Sequence, residues 1–262
     1  MEGGRTTPSS GSGWRTPSER AGAPGHRQRL AGLALAAVLA WSTALAQTPT
    51  ALADGGNYAA AWEKASQTRT AAMQTTAARA ATDQVVYDLA LHGAPLTDQL
   101  VWLNRAVTAA EAAVSLDQAS AAALIQLARA KGEIARRSGI LQNLGVASEL
   151  KELFDRVLAL EPANADALVG LAMWHLELVE NGVGWLYGGR KDAVEPLLAR
   201  GVAAAPEQVN LRVEYARALI ALGNRADARA QLELAISLPS RRASDEVEKA
   251  AAAQLLAGLD PK

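Results

Sequence analysis

The residues of this 262-residue chain with the best claim to chemistry are a glycine-rich decapeptide, Asn181 to Arg190, and two histidines, His92 and His175. Gly182-Val183-Gly184 begins like the Gly-x-Gly-x-x-Gly turn that brings backbone N–H groups against a pyrophosphate, but Tyr187 stands where the third glycine is needed. Gly189-Arg190-Lys191-Asp192 lacks the Gly-Lys-Ser/Thr ending of a P-loop, and a helical rather than a strand pattern precedes it. Phosphate binding is therefore not expected. Trp185, Leu186 and Tyr187, at the centre of the decapeptide, either seal the loop onto its own hairpin or touch a partner. His175 has Glu177 and Glu180 on nearby turns but not the His-Glu-x-x-His spacing that holds zinc, so a hydrogen-bonded core role is expected. His92 falls at a helix end, where the partial negative charge favours a cation. No serine–histidine–acid set is suggested. The chain reads as a non-enzyme without metal or cofactor.

The elements that would position these residues are helices. Half the residues are apolar, yet aromatics make up only 4% and alanine is abundant, a composition that favours helix and close helix approach over strands. From Tyr58 to about Leu91 no proline interrupts, which predicts one long helix or two with a break near Thr75. His92-Gly93-Ala94-Pro95 stops it, and Thr97 and Asp98 start a helix with Leu100, Leu103, Ala106, Ala110 and Ala113 on one face. Beyond it, three helical stretches close at equivalent places, Leu160-Glu161-Pro162, Ala205-Pro206 and Leu238-Pro239, with Leu116-Asp117-Gln118 as a degenerate fourth. Self-similarity at intervals of 44, 44 and 33 residues signals stacked helical hairpins.

In each hairpin small residues alternate with large ones: Tyr215, Ala216, Leu219 then Ala228, Leu232, Ala235; Leu168, Leu171, Ala172 then Val194, Leu198, Gly201; Leu124, Leu127, Ala128 then Leu150, Phe154, Val157. A small side chain on one helix receives a large one from the next. Two additions of about ten residues lie between the helices of a hairpin. Ser138–Ala147 extends a helix, whereas the four glycines of the decapeptide forbid regular helix. Asp192-Ala193-Val194-Glu195 has a capping-box pattern that starts the following helix at Asp192, with Pro196 just past its first turn. Ser244-Asp245-Glu246 opens a last helix, with Leu255 and Leu256 inward, that covers the final apolar face.

Residues 118–257 resemble the tetratricopeptide superfamily. The resemblance implies an all-α, right-handed superhelical stack of hairpins with a C-terminal capping helix, residues 58–116 supplying a degenerate repeat and 118–262 the repeats and cap. Leu171-Ala172-Met173-Trp174-His175, Leu186-Tyr187-Gly188-Gly189 and Leu238-Pro239 carry a narrower likeness, although Ala172 stands where a glycine is usual. It is to the regulator of microtubule dynamics family and to exported bacterial relatives, including the periplasmic T-component of tripartite transporters. That likeness implies no catalytic residues, and in the T-component an oligomeric solute-handling accessory. In such hairpins the second, fifth, ninth and twelfth positions of the first helix line a concave groove. They fall on Ala122, Ile125 and Arg129; Asp166, Val169, Met173 and Leu176; and Asn210, Val213, Arg217 and Ile220. The lysine and asparagine set with which chaperone-tail clamps of the superfamily hold a terminal carboxylate is missing. An apolar peptide or a partner's helix suits the strip, unless residues 58–92 fill it.

Residues 1–29 carry glycine, serine, proline and arginine with little to bury, a disordered composition. Arg27 and Arg29 then precede an apolar run, Leu30 to Leu45, that is short of the ~20 residues of a spanning helix. The run exits through Ala44-Leu45-Ala46, the pattern of a signal peptide over residues 30–46 cleaved after Ala46, with Ala51-Leu52-Ala53 as a second point. Residues 47–57 would be linker, and the length of the leader raises the expectation of a translation start downstream of Met1. Removing residues 1–46 takes Lys+Arg from 26 to 21 and Asp+Glu from 27 to 25, a net charge of about −4 that suggests no nucleic-acid surface. Without cysteines there are no disulfides or thiolate sites. The expectation is a periplasmic or secreted bacterial scaffold for another protein or peptide, not inserted in the membrane once cleaved. A solute-binding, oligomeric transport accessory using a pocket near Trp174, Trp185 and Tyr187 is the second reading.

Overall fold

The structure, a computed structural model, describes residues 48–139 and 144–259; the basic flank, the apolar run and the cleavage after Ala46 lie outside the described residues. Every regular element among the described residues is helical. In chain order these are α1 (Pro49–Asp54), α2 (Tyr58–Ser66), α3 (Ala71–Gln84), α4 (Leu96–Leu116), α5 (Ala121–Ser138) and α6 (Leu144–Leu160). They continue as α7 (Ala165–Glu180), the single turn α8 (Gly184–Tyr187), α9 (Lys191–Ala204), α10 (Val209–Ala221), α11 (Arg225–Ser237) and α12 (Ala243–Leu259). A π-helical turn, Val85–Leu89, prolongs α3.

Four hairpins stack in sequence, α3/α4, α5/α6, α7/α9 and α10/α11, and α12 packs across both α10 and α11. The closing positions end helices as their chemistry requires: α6 stops at Leu160, α9 at Ala204 and α11 at Ser237, each two residues before a proline that cannot donate to the helix. Two repeats restart on side-chain caps, Ser120 accepting from the Ala123 N–H and Asn164 from the Ala167 N–H. Ala216 and Ala228 are fully buried in one core with Leu198, Leu219 and Leu232. A second core joins Leu124, Ala128, Phe154, Val157 and Leu171. Small residues seat large ones as the alternation requires. A Cβ at Gly170 would lie 2.5 Å from the Phe154 ring, and one at Gly201 would lie 2.6 Å from Val169 Cγ2.

Several local readings differ from the structure. Residues 47–57 are not all linker: Pro49–Asp54 forms α1, capped by the Thr48 hydroxyl and tucked in through Ala53. The break after α2 falls at Gln67–Thr70 rather than near Thr75. Thr70 caps α3, and the Gln74 side chain donates to the Ser66 and Thr68 carbonyls, so polar side chains do what a proline would have done. The Asp192 capping box does not form, because α9 starts at Lys191 behind Arg190 with no side-chain cap. Ser244 is not the cap of α12. Asp245 reaches back instead, accepting from the Arg241 and Arg242 N–H groups at 2.8 and 2.9 Å. In the first addition α5 runs to Ser138 and Gly139 turns with φ 84°, while residues 140–143 lie outside the described set.

Candidate functional site: a cavity where the ends of the stack meet

The stack curves until its first and last modules touch. The Tyr87 hydroxyl, on the π turn after α3, donates to Glu248 Oε1 of α12 at 3.0 Å, across 161 residues of sequence. Nearby, Gly56 (φ 85°) lies so close to α12 that a Cβ there would be 3.0 Å from Ala243 Cβ. Between these contacts and the concave faces of α5, α7 and α10 lies a cavity of about 520 Å³.

Of the groove residues expected from the repeat register, Ile125, Arg129, Asp166, Val169, Met173, Asn210 and Arg217 line this cavity. Four others do not, three of them because they pack into the core. Leu176 is buried in the core with Val194, Leu198 and Leu219, Val213 is fully buried, and Ile220 packs on the same core. The register assumes an open superhelix, whereas here α12 lies against α10 and takes part of its concave face, and Leu176 turns to the Val194 and Leu198 side chains of α9 in its own hairpin. Ala122 stays exposed and does not line the cavity. The N-terminal helices wall the cavity rather than fill it: α3 presents Arg79 and Asp83, and its π turn presents Tyr87.

The polar wall was largely missed. Asp83 has a nearly buried side chain between Arg79 and Arg129, with Arg129 Nη1 2.7 Å from Asp83 Oδ1. Burial opposes the Arg129 charge, but Asp83, Tyr87 and Asp166 outweigh it and hold the guanidinium above its usual pKa. Farther along, Glu133 is buried between Arg136 and Arg137, and Arg217 pairs with Glu214. Asp166 is solvent-accessible through the cavity yet walled by protein, and this burial raises its carboxyl pKa against the pull of Arg129 and Arg242. Glu248 is raised as well, first by burial, while Arg217, the Tyr87 hydrogen bond and Arg129 oppose the shift. The available signal was a polar run, Thr82-Asp83-Gln84, inside an alanine-rich helix, and Glu248 in the alanine-rich cap.

The decapeptide sits elsewhere. Gly182 and Gly188 take positive φ of 70° and 78°, and Gly189 lies where a Cβ would be 2.7 Å from Leu178, so the loop folds tightly on α7. Tyr187 packs on the core of its own hairpin, whereas Trp185 is 84% exposed and Leu186 53%. Trp174 and Tyr187 line an open groove on α6 with Lys151 and Asp155, and Trp185 does not join them. The Trp174 indole N–H donates to the Ala147 carbonyl at 2.7 Å. His175 is a core residue, its Nδ1 accepting the Arg190 N–H at 3.2 Å. His92 is exposed, with Nδ1 2.9 Å from both the carbonyl and a carboxylate oxygen of Asp88.

No protein-family model matches the chain, and no curated protein does either. Solved structures do. The chain is similar to TTC0263, a thermophilic TPR protein in Thermus thermophilus, with a TM-score of 0.55 at 16% identity over 76% of this chain and 92% of that one. A crystal structure of MamA matches over 75% and 92% at 16% identity and a TM-score of 0.41, and another over 80% and 93% at 15% and 0.42. The likeness to TTC0263, together with the in-register hairpins and their seated small residues, gives the conclusion that this chain has the tetratricopeptide-repeat fold.

Proposed function

We propose that the chain is an exported scaffold that captures a segment of another envelope protein in its central cavity. The observation that carries this reading is the cavity itself: concave helices of successive repeats converge on it with an apolar wall and a polar wall. Export is supported by the basic flank, apolar run and small-residue exit. The test is capture from an envelope extract by the full chain. A stoichiometric protein partner is expected, lost on Met173→Glu and on Arg217→Glu with the helical circular-dichroism signal retained. Capture that survives both changes places the partner elsewhere on the molecule.

The cavity size favours one second reading, a solute-binding accessory of a transport system. About 520 Å³ lies within the ~300–1,000 Å³ of small-molecule sites. A solute that raises the melting temperature and shifts tryptophan emission with no protein partner present supports it.

A further inference from the structure

Five arginines line the cavity, and each is already answered by an acid. Arg79 pairs with Asp54 and Asp83, Arg129 with Asp83, Arg136 with Glu133, Arg217 with Glu214, and Arg242 more loosely with Asp245 at 3.8 Å. Against them the lining carries six carboxylates: Asp83, Glu133, Asp166, Glu177, Glu214 and Glu248. The unspent capacity is on the accepting side. Asp166 makes no hydrogen bond or ion pair with a described residue, while Asn210 Oδ1 and Gln126 Oε1 are buried without a donor. Asp166 and Asn210 hold the same place, the second residue, in the concave helices of successive repeats. Beside these acceptors run Ile125, Phe154, Val169 and Met173. Buried acceptors left unanswered cost free energy, and the accessible Asp166 carboxylate that faces the same cavity can take a charge-assisted hydrogen bond from a cation that also donates.

We infer that the cavity takes an alkylammonium group, a compact cation with three N–H donors on an apolar stem, bound by Asp166 and Asn210 with the stem along Val169 and Met173. The inference rests on the cavity being the binding site. A lysine side chain or amino terminus of a captured segment supplies this chemistry, and so does a free amine. A carboxylate ligand would find the arginines engaged and the acids in excess.

The test uses the full chain with n-hexylamine, hexanoate and hexanol, read by melting temperature and tryptophan emission. Hexylamine raises the melting temperature; hexanoate and hexanol do not. Asp166→Asn weakens hexylamine by about tenfold or more, as loss of a charged hydrogen-bond partner should, and Asn210→Leu weakens it as well. Asp155→Asn, in the open groove, changes nothing. Hexylamine that displaces a captured protein assigns the ammonium to the partner; hexylamine that binds and leaves capture intact assigns it to a free solute. Hexanoate binding as tightly as hexylamine, or full affinity in Asp166→Asn, overturns the inference. Hexylamine that leaves the melting temperature and tryptophan emission unchanged while capture is still lost on Met173→Glu also overturns it, and leaves the scaffold standing.

Discussion

At His175 burial disfavours the imidazolium, Arg190 and Lys151 add to it, and Nδ1 has to stay unprotonated to accept the Arg190 N–H. The folded-state pKa therefore lies below the ordinary 6.5, and acid loads protons onto the unfolded chain first. The contribution is complete above 6.5 and is lost as pH falls through and below it. Urea midpoints measured between about pH 7 and 5 should fall with acid, and His175→Asn, which keeps an acceptor near the Nδ1 position, should flatten that slope. Gly201 makes a second case at this scale. Helix propensity favours Gly201→Ala by about 1 kcal/mol, but the new Cβ would meet Val169 Cγ2 at 2.6 Å. Packing should win, with a net loss of roughly 1–3 kcal/mol by chemical denaturation.

Among the elements, the π turn Val85–Leu89 and the cap α12 do most to shape the cavity, because between them they place Tyr87 against Glu248. Tyr87→Phe leaves a buried carboxyl without its donor and should cost about 1–3 kcal/mol in urea unfolding. The double change Tyr87→Phe with Glu248→Met removes both partners and should recover most of that loss. The hairpins themselves were legible because their signals are local: a proline just past each helix, and small residues at fixed offsets from large ones. The break at Gln67–Thr70 was not legible, since it is made by Thr70 and Gln74 side-chain hydrogen bonds with no proline or glycine to mark it. The capping box at Asp192 misled for the opposite reason, a correct pattern whose side chain stays in solvent beside Arg190.

For the molecule as a whole, curvature decides the site. Periodicity along one helix located seven cavity residues, including Arg129, Met173 and Arg217, but not the partners brought round by closure, since Tyr87 and Glu248 are 161 residues apart. The same closure took Val213 and Ile220 out of the groove and into the core. The most direct measurement of the central claim exploits a chain without cysteines. Met173→Cys, in the cavity, and Trp185→Cys, on the exposed turn, are each reacted with a thiol reagent with and without the captured partner. Capture is predicted to slow modification at position 173 severalfold, the protection expected of a group closed off from water, and to leave position 185 unchanged. Protection at 185 with full reactivity at 173 would contradict the account.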